Sequence, residues 1–368
     1  MKAALLAAGE GKRLRPITFD RPKPVIPLAG FSLAEYHLSN LARAGVDEVI
    51  VVVGYGEAKV RERLGTGARF GFSIRYIRQE KQLGTAHALK VCEEHLVSED
   101  LFLLVYSDVY IPPSAIEDLV RAAEGRGGSV AVAAVDRPWE FGVVEHDAEW
   151  NLKSIVEKPP RGEEPSNLVI AGAFALRPSI FEELMEVQPS PRGELELTDA
   201  ITALSAKEPV RLVSLGDRWT DAGRPGDLLK ASHLLLEDVA LGRVQEDLLT
   251  IPGGEFITSG SSPGAAEVIG PAYIGPGVVL GENSQAGPYV SIEGPARLGD
   301  KAVVRNSILL SGAKVGAGAL VEGAVLCSRS SVPRGATLRA DSHDFSCVLG
   351  PGVSLGTLSP PAETILWP

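Results

Sequence analysis

The sequence is poor in cysteine and has no long apolar run. Its three cysteines, Cys92, Cys327 and Cys347, match no metal-binding spacing. A disulfide framework is therefore not expected, and a reducing cytoplasm is the expected location. No stretch reaches the ~18 consecutive apolar residues of a membrane span. The first apolar run, Ala3 to Ala8, lacks the features of a signal peptide, so we expect no membrane partner.

The sequence also lacks clustered positive charge. It contains 36 Lys and Arg against 47 Asp and Glu, a formal net charge of -11. Proteins that bind nucleic acid present concentrated basic surface, so nucleic acid is excluded as an expected partner. The length of 368 residues is sufficient for two domains, each with its own core.

Residues 1–245 alternate short β-branched runs with longer helical periodicities, a pattern typical of an α/β sheet. Continuous apolar strands favour a sheet covered on both faces. We predict a Rossmann-like α/β domain with a mostly parallel sheet over 1–245. The expected strands are Ala3–Leu6, Glu48–Val53, Ser73–Arg78, Leu101–Tyr106 and Val130–Val135, and the expected helices are Leu33–Ala44, Glu57–Leu64, Thr85–His95 and Ser114–Glu124.

Residues 246–368 show a six-residue repeat instead of helical periodicity. A hexapeptide period is typical of a parallel β-helix, in which each six-residue side directs one aliphatic side chain inward. A disordered glycine-rich tail, the other interpretation, requires no regular aliphatic ladder. We therefore predict a β-helix over 246–368. The repeated positions are Val268, Ile274, Leu280, Ala286, Ile292, Leu298, Val304 and Leu310 and, after a one-residue slip, Val315, Val321 and Cys327.

A glycine-rich loop, Leu6 to Pro16, follows the first expected strand. Glycines let backbone N–H groups approach phosphates closely, and the basic residues of the loop add charge. The loop is not a dinucleotide fingerprint, because Leu14 stands where a third small residue is required. It is not a P-loop either, because Lys12 is followed by Arg13. Taken alone, the glycines also fit an ordinary strand-to-helix turn.

A second motif, Arg21-Pro22-Lys23-Pro24, follows the loop. Together the two segments resemble the sugar-1-phosphate nucleotidylyltransferases, most of all the long-form glucose-1-phosphate thymidylyltransferases and archaeal relatives with a C-terminal left-handed β-helix. The resemblance implies catalytic contacts from Arg13 to the triphosphate and from Lys23 near the α-phosphate. Prolines on both sides of Lys23 fix its backbone, as electrostatic preorganisation requires. The implied nucleotide-binding backbone is that of Leu6, Ala8, Gly9 and Gly11.

Two aspartates are the metal ligands that the resemblance implies. Asp108 ends an apolar strand, at the carboxyl edge where open α/β sheets bind ligands, and it is also counted as catalytic. Asp221 lies in Trp219-Thr220-Asp221-Ala222-Gly223, which is similar to the family's Trp-x-Asp-x-Gly element. Two aspartates can hold one Mg²⁺ through hard oxygen ligands. Each aspartate alone also fits a helix cap or a turn, and the family often has glycine where Ser107 stands.

The segment from Gln79 to Ala86 resembles the family's base-binding element. In that family a glutamine five residues before a Gly-Thr pair contacts the base through its amide, and the glycine backbone completes the contact. Gln79, Gly84 and Thr85 are therefore the expected base-binding residues. The pattern favours a pyrimidine and does not distinguish dTTP from UTP.

Two further segments resemble the family's sugar-phosphate elements. The implied contacts come from Gly142, from Glu157, from Lys158 to the sugar's phosphate, and from a later strand carrying Ile170 and Gly172. Ile170 has no polar group to hold an acetamido substituent, and enzymes specific for N-acetylglucosamine commonly have Asn at the position of Asp221. Both differences favour a plain hexose, of which glucose is the commonest in the family.

The resemblance thus implies nucleotidyl transfer from dTTP or UTP to glucose 1-phosphate by a homo-oligomer assembled through the β-helix. Three alternatives remain open. The chain could be a bifunctional N-acetylglucosamine-1-phosphate uridyltransferase and acetyltransferase, a mannose-1-phosphate guanylyltransferase, or a non-catalytic scaffold subunit. His343 is the only histidine in 246–368, and it lacks the flanking residues of such acetyltransferases.

Overall fold

The computed structural model describes residues 1–244, 246–249, 253–262, 265–340, 347–356 and 365–366. It divides into two compact units. Unit 1 contains Met1–Gly9 and His37–Trp219, and unit 2 contains Glu10–Tyr36 and Thr220–Pro368. Most of the glycine-rich loop and the Lys23 motif therefore belong to the unit that contains the C-terminal repeats. The domain boundary near residue 245 stays a prediction.

A mostly parallel sheet forms the centre of unit 1, which confirms the predicted Rossmann-like architecture. Seven strands run in the order β3-β2-β1-β4-β8-β5-β9, and β6 pairs with β7 and β8. β8 runs antiparallel to both β4 and β5, a feature that the sequence pattern does not predict. The strands are β1 (Lys2–Ala7), β2 (Glu48–Val53), β3 (Ser73–Arg78), β4 (Phe102–Tyr106), β5 (Gly128–Ala134), β6 (Gly142–His146), β7 (Leu152–Glu157), β8 (Leu168–Leu176) and β9 (Val210–Ser214).

The helices follow the predicted periodicities with one exception. The expected helix Thr85–His95 is two helices, because an i→i−3 bond from Cys92 N to Leu89 O tightens the chain before the second begins. The helices are α1 (Leu33–Arg43), α2 (Glu57–Leu64), α3 (Thr85–Lys90), α4 (Glu93–Leu96), α5 (Ala115–Ala122), α6 (Ile180–Glu186), α7 (Leu197–Ser205), α8 (Pro225–Ala240) and α9 (Glu246–Leu249). None of the helices in the described ranges is both long enough and apolar enough to cross a membrane.

The loops that begin at Ala8 and Asp108 lie at one edge of the buried sheet of unit 1. Every residue of the run Val49–Val53 is fully buried, as expected for a sheet covered on both faces. β1 and β4 pair in parallel, with Ala3 opposite Leu103 and Leu6 opposite Tyr106. Their carboxyl ends therefore lie at the same edge, where the loop at Ala8 and the turn at Asp108 begin.

The repeat strands of unit 2 form three sheets, in the orders β10-β13-β16-β19-β22-β25-β26, β11-β12-β15-β18-β21-β24 and β14-β17-β20-β23. From β12 onward, the paired repeat strands run parallel. The strands are β10 (Glu255–Ile257), β11 (Ser261–Ser262), β12 (Glu267–Ile269), β13 (Ala272–Ile274), β14 (Val279–Leu280), β15 (Gln285–Ala286), β16 (Val290–Ile292), β17 (Arg297–Leu298), β18 (Val303–Arg305), β19 (Ser307–Leu309), β20 (Lys314–Val315), β21 (Leu320–Glu322), β22 (Ala324–Leu326), β23 (Ser331–Val332), β24 (Thr337–Arg339), β25 (Cys347–Leu349) and β26 (Ile365–Leu366).

The register shows where the six-residue repeat slips. We use the term coil for a stretch of chain that passes once through the three sheets. Ala272 pairs with Val290, 18 residues on, whereas Ile292 pairs with Leu309, only 17 residues on. The residue is lost at one corner, where Asn306 adopts a left-handed φ of 47°.

This slip corrects the predicted ladder. Because it precedes Leu310, the inward position there belongs to Leu309, which joins Ile292 in the apolar interior of the coils. A second residue is lost one coil later at Gly323, which has a φ of 65°, so Leu326 takes the inward position 17 residues after Leu309. Leu310 and Cys327, the residues that the simple period assigns there, are buried outside that cluster. The remaining predicted positions are buried or half-buried in it. His343 lies outside the described residues.

Candidate active site

The first part of the glycine-rich loop is fixed at the end of β1. The Ala8 carbonyl accepts hydrogen bonds from Tyr55 N at 3.2 Å and from Gln82 Nε2 at 2.7 Å. A Cβ at Gly54 would lie 2.9 Å from the same oxygen. Gly9 follows with open space around it, so its backbone is accessible. Leu6, Ala8 and Gly9, three of the predicted nucleotide-binding residues, thus lie together in unit 1.

Four other predicted residues converge in unit 2. The Lys23 ammonium donates a hydrogen bond to the Asp221 carbonyl at 2.9 Å. The Arg13 guanidinium lies 3.8 Å from the Asp221 carboxylate and is largely exposed. Gly11, with φ 66°, packs against Lys23, since a Cβ on Gly11 would lie 3.2 Å from that of Lys23. Two cations and one carboxylate from distant parts of the sequence therefore form one cluster.

The backbone around Asp221 is specialised. Asp221 Oδ1 accepts a hydrogen bond from Gly223 N at 3.1 Å. A Cβ at Gly223 would lie 2.5 Å from Asp221 Oδ2, so a larger residue there would displace the carboxylate. Ala222 between them has a φ of 43°, which costs a non-glycine residue free energy. The turn holds the carboxylate in one orientation beside Arg13.

Asp108 follows β4 in unit 1, on a turn that Ser107 ties to β1. Both Ser107 N and Ser107 Oγ donate to the Leu6 carbonyl, at 3.1 and 2.6 Å. Serine in place of the family's usual glycine therefore adds a bond between the two central strands. Asp108 is half-buried, as is Tyr106 at the end of β4. Burial is the main cause that raises the pKa of Tyr106, and the negative charge of Asp108 adds to it.

His37 lies next to this turn and makes the stability of unit 1 depend on pH. Its Nε2 is 2.8 Å from the Val109 carbonyl. Burial lowers the pKa of His37 from 6.5 to about 4, against the opposing effects of Val109 and Asp108. The unfolded chain therefore binds the extra proton first, so this stability is present above pH 6.5 and is lost as the pH falls toward 4.

We expect wild-type protein to lose about 2 kcal/mol of unfolding free energy between pH 7 and pH 5 through His37. His37→Gln retains a donor for the Val109 carbonyl but does not titrate, so its unfolding free energy should change less over that range. Urea unfolding at both pH values measures the difference. Equal losses in wild type and His37→Gln would show that another group carries the effect.

The predicted base-binding residues lie between β3 and α3 of unit 1. Gln79 is 6% exposed, and its Nε2 contacts the Gly84 carbonyl at 3.1 Å and His87 Nδ1 at 3.0 Å. Gly84 has a φ of 113°, and a Cβ there would lie 2.4 Å from the Leu195 carbonyl oxygen. Thr85 Oγ1 accepts a hydrogen bond from Leu197 N at 3.1 Å. The structure thus brings Gln79, Gly84 and Thr85 together.

The predicted sugar-phosphate residues meet where β6 pairs with β7. Gly142 lies opposite Glu157, and a Cβ at Gly142 would lie 2.9 Å from Glu157 Oε2. Lys158 has a φ of 48°, and its Nζ is 3.5 Å from Glu157 Oε1. On β8, a Cβ at Gly172 would lie 2.9 Å from the Tyr106 ring, while Ile170 is half-buried.

Two site residues were missed by sequence reasoning. The Arg192 guanidinium lies 3.3 Å from Glu157 Oε1 and 2.7 Å from Glu196 Oε1. Burial raises the pKa of Glu157; Lys158 and Arg192 oppose this, whereas the Glu196 charge adds to it. Both residues precede α7 and lie outside any helix, so no periodicity in the sequence identifies this pair.

The structure therefore forms two groups of predicted residues. Unit 1 contains the predicted base and sugar residues together with Asp108, and unit 2 contains Gly11, Arg13, Lys23 and Asp221. The pairing of Asp108 with Asp221 as metal ligands stays a prediction.

Comparison with known proteins identifies the family. Residues 2–238 match the model described as nucleotidyl transferase. The chain belongs to the nucleotidyl transferase family. This confirms the family prediction made from the glycine-rich loop and the Lys23 motif. Residues 268–358, which contain most of the repeats, match the model described as GMPPB C-terminal domain.

Relatives of this nucleotidyl transferase align over most of its length. The low-salt glycan biosynthesis nucleotidyltransferase Agl11 of Haloferax volcanii is 33% identical over 343 residues, which cover 86% of this chain and 94% of the relative. A glucose-1-phosphate thymidylyltransferase of Streptomyces griseus is 34% identical over 323 residues, 86% of this chain and 88% of the relative. A crystal structure of UDP-glucose pyrophosphorylase complexed with UDP-glucose shares the fold, with a TM-score of 0.57 at 23% identity over 64% of this chain and 97% of that one.

Proposed function

We propose that this nucleotidyl transferase joins dTTP or UTP to glucose 1-phosphate, giving a nucleotide sugar and pyrophosphate. The observation that carries the proposal is the cluster of Lys23, Asp221 and Arg13 beside Gly11 of the glycine-rich loop. The cluster concentrates positive charge at the predicted phosphate-binding segment. The choice of substrates is supported by the Streptomyces griseus relative, which is named a glucose-1-phosphate thymidylyltransferase.

The proposed chemistry requires positioning more than proton transfer. An oxygen of the sugar phosphate forms a bond to the α-phosphorus while the bond from that phosphorus to the bridging oxygen breaks, and pyrophosphate leaves with the electron pair. The attacking oxygen is already anionic, so no general base is needed. Arg13 and Lys23 would neutralise the triphosphate, and Lys158 the sugar phosphate, as in other reactions at phosphorus.

We propose Asp108 and Asp221 as the ligands of a Mg²⁺ ion that the substrate phosphates would help to bind. Within the described ranges, no three His, Cys, Asp or Glu side chains group as a preformed metal cage. Mg²⁺ is usually held by one or two carboxylates together with substrate phosphates, which is the donor set that Asp108 and Asp221 would supply. Bound there, the ion would contribute positive charge at the α-phosphate.

The Gln79 carboxamide supports a preference for uracil or thymine. Desolvation lowers the pKa of His87, so its ring is neutral near pH 7 and Nδ1 can accept a hydrogen bond. Gln79 Nε2 then donates to both His87 Nδ1 and the Gly84 carbonyl. The carboxamide oxygen is left as the group that can contact a base. It would accept from the N3–H of uracil or thymine, whereas cytosine has an acceptor at N3.

We therefore expect Gln79→Ala to lower kcat/KM for dTTP and UTP by about 20-fold, the value of one hydrogen bond in a desolvated site. The much lower kcat/KM for CTP should change little, so the selectivity ratio should fall. Gln188→Ala, which alters an exposed glutamine of the same unit, is the matched control. An unchanged ratio in Gln79→Ala would exclude Gln79 as the base-reading residue.

The predicted sugar-binding residues support a plain hexose 1-phosphate as the second substrate. The Glu157 carboxylate lies against Gly142 and is held from the other side by Arg192, so it presents a fixed acceptor for sugar hydroxyls. Ile170 offers only an aliphatic side chain on β8. An acetamido group would find no hydrogen-bond partner in that side chain.

We further infer that the repeats of unit 2 form a left-handed parallel β-helix. The supporting observations are the three sheets, the 17- and 18-residue returns and the aliphatic interior. Assembly of a homo-oligomer through this part of the chain and a cytoplasmic location are proposals of the same kind.

Pyrophosphate release from purified protein tests the proposed reaction. Each of dTTP, UTP, CTP and GTP is paired with glucose, N-acetylglucosamine or mannose 1-phosphate in the presence of Mg²⁺. We expect the highest kcat/KM with dTTP or UTP and glucose 1-phosphate. The highest value with GTP and mannose 1-phosphate, or release from no pair, would overturn the proposal.

A further inference from the structure

The repeat strands bind the segment that carries Lys23. Arg21, two residues before Lys23, places its Nη1 3.1 Å from Glu293 Oε2 and its Nη2 3.2 Å from Ser328 Oγ. The Arg21 side chain is only 17% exposed, and Ser328 is buried. An arginine held by two partners in a partly desolvated place has few alternative rotamers. Contacts with the repeats therefore hold the segment that precedes Lys23 in place.

Glu293 is itself held by the regular stacking of the coils. It follows β16, and its Oε2 accepts a hydrogen bond from Ser311 N of the next coil at 2.9 Å. Ser328 follows at the corresponding place one coil later, as the pairing of β19 with β22 requires. Three successive coils thus contribute to one binding site for the Arg21 guanidinium, and the site exists only where coils stack in register.

A second anchor lies on the other side of Lys23. Gly30 N is 3.3 Å from Ser291 Oγ, and a Cβ on Gly30 would lie 2.3 Å from the Tyr273 ring. Phe31 is fully buried, and the centroid of its ring lies 6.2 Å from the centroid of the Phe256 ring. Backbone and side chain are therefore packed onto the first coils at residues 30 and 31. Lys23 lies between two points of attachment to the repeats.

We propose that the repeat strands take part in the nucleotidyl transfer reaction, with Glu293 as a positioning residue that acts through Arg21 on Lys23. The ion pair sets the course of the chain at Pro22, and the Lys23 ammonium then reaches the Asp221 carbonyl. This inference rests on the proposed function, because Lys23 matters only if the chain catalyses that reaction. It assigns the repeats a role in turnover in addition to any role in assembly.

Glu293→Ala tests the inference against Glu322→Ala. Glu322 is a matched control, because it is a similarly exposed glutamate of the repeats that pairs with Arg339 at 3.1 Å. We expect Glu293→Ala to lower kcat about 10-fold with KM for glucose 1-phosphate nearly unchanged, since a misplaced catalytic group affects the transition state most. Glu322→Ala should retain wild-type kcat. Thermal unfolding of both variants shows whether the two substitutions cost similar stability.

A double-mutant cycle separates positioning from general stabilisation. Arg21→Ala and Glu293→Ala should lower kcat by similar factors, and the double variant by little more than either, because both remove one linkage. Glu293→Gln retains an acceptor for Ser311 N, so its kcat should lie between those of Glu293→Ala and wild type. It replaces Glu293→Ala in the test if the alanine variant folds poorly. Wild-type kcat in Glu293→Ala, or fully multiplicative losses in the double variant, would overturn the inference. Absence of pyrophosphate release from wild-type protein would instead refute the proposed function.

Discussion

Replacing Lys23 by alanine is expected to lower the kcat of pyrophosphate release by about 10³-fold, in the upper range for loss of one preorganised charged group. The Lys23 ammonium donates a hydrogen bond to the Asp221 carbonyl, and Pro22 restricts the backbone before Lys23. The positive charge is therefore in position before the substrate binds. Alanine leaves the short 3-10 turn of residues 23–25 unaltered but removes the charge. KM for the nucleoside triphosphate should rise much less than kcat falls.

The Lys23 result needs controls for charge and for fold. Lys314→Ala removes an exposed lysine of β20 in the same unit and should retain wild-type kcat. Lys23→Arg retains the charge but replaces a compact ammonium by a planar guanidinium, so only partial activity is expected. Thermal unfolding should change little, because the part-buried hydrogen bond from Lys23 to the Asp221 carbonyl is worth about 1 kcal/mol. A Lys23→Ala enzyme within tenfold of wild-type kcat would exclude the assigned role.

Asp108→Asn is expected to lower kcat by a comparable factor of about 10³, because the amide has the shape of the carboxylate without its charge. The turn should persist, since the bonds from Ser107 N and Oγ to the Leu6 carbonyl do not involve the substituted group. The variant should also require more Mg²⁺ for half-maximal rate. A titration of rate against Mg²⁺ concentration measures both effects.

Asp118→Asn is the matched control for Asp108→Asn. Asp118 is an aspartate of the same unit that pairs with Arg121 at 3.2 Å on the surface of α5, and its substitution should change neither kcat nor the Mg²⁺ requirement. An Asp108→Asn variant with wild-type kcat at the same Mg²⁺ concentration would show that Asp108 is a structural turn residue.

Local patterns predicted several elements of unit 1 correctly. The strands Glu48–Val53 and Ser73–Arg78 were predicted to the residue, the first from a continuous β-branched run and the second from its alternation of polar and apolar residues. The proximity of Arg13, Lys23 and Asp221 was expected only from the family resemblance, since some 200 residues of sequence separate Asp221 from the other two. Such long-range proximity cannot be obtained from periodicity alone.

Other features depend on tertiary packing that no local pattern encodes. The antiparallel direction of β8 depends on the path of the chain between strands, and an apolar run reads the same in either direction. The slip at Asn306 was placed too late, because Leu309 and Leu310 are both aliphatic and either fits a six-residue period. The ion pair of Arg21 and Glu293 joins residues 272 positions apart. In the sequence, each of them reads as an ordinary charged surface residue.

The proposed reaction requires attack at the α-phosphorus of the triphosphate. Purified protein is incubated with glucose 1-phosphate, Mg²⁺ and dTTP or UTP labelled with ³²P at either the α or the γ position, and the products are separated. We predict that the α label is recovered in the nucleotide sugar and the γ label in pyrophosphate. Recovery of the γ label in a sugar phosphate, or of the α label only in unreacted triphosphate, would contradict the account.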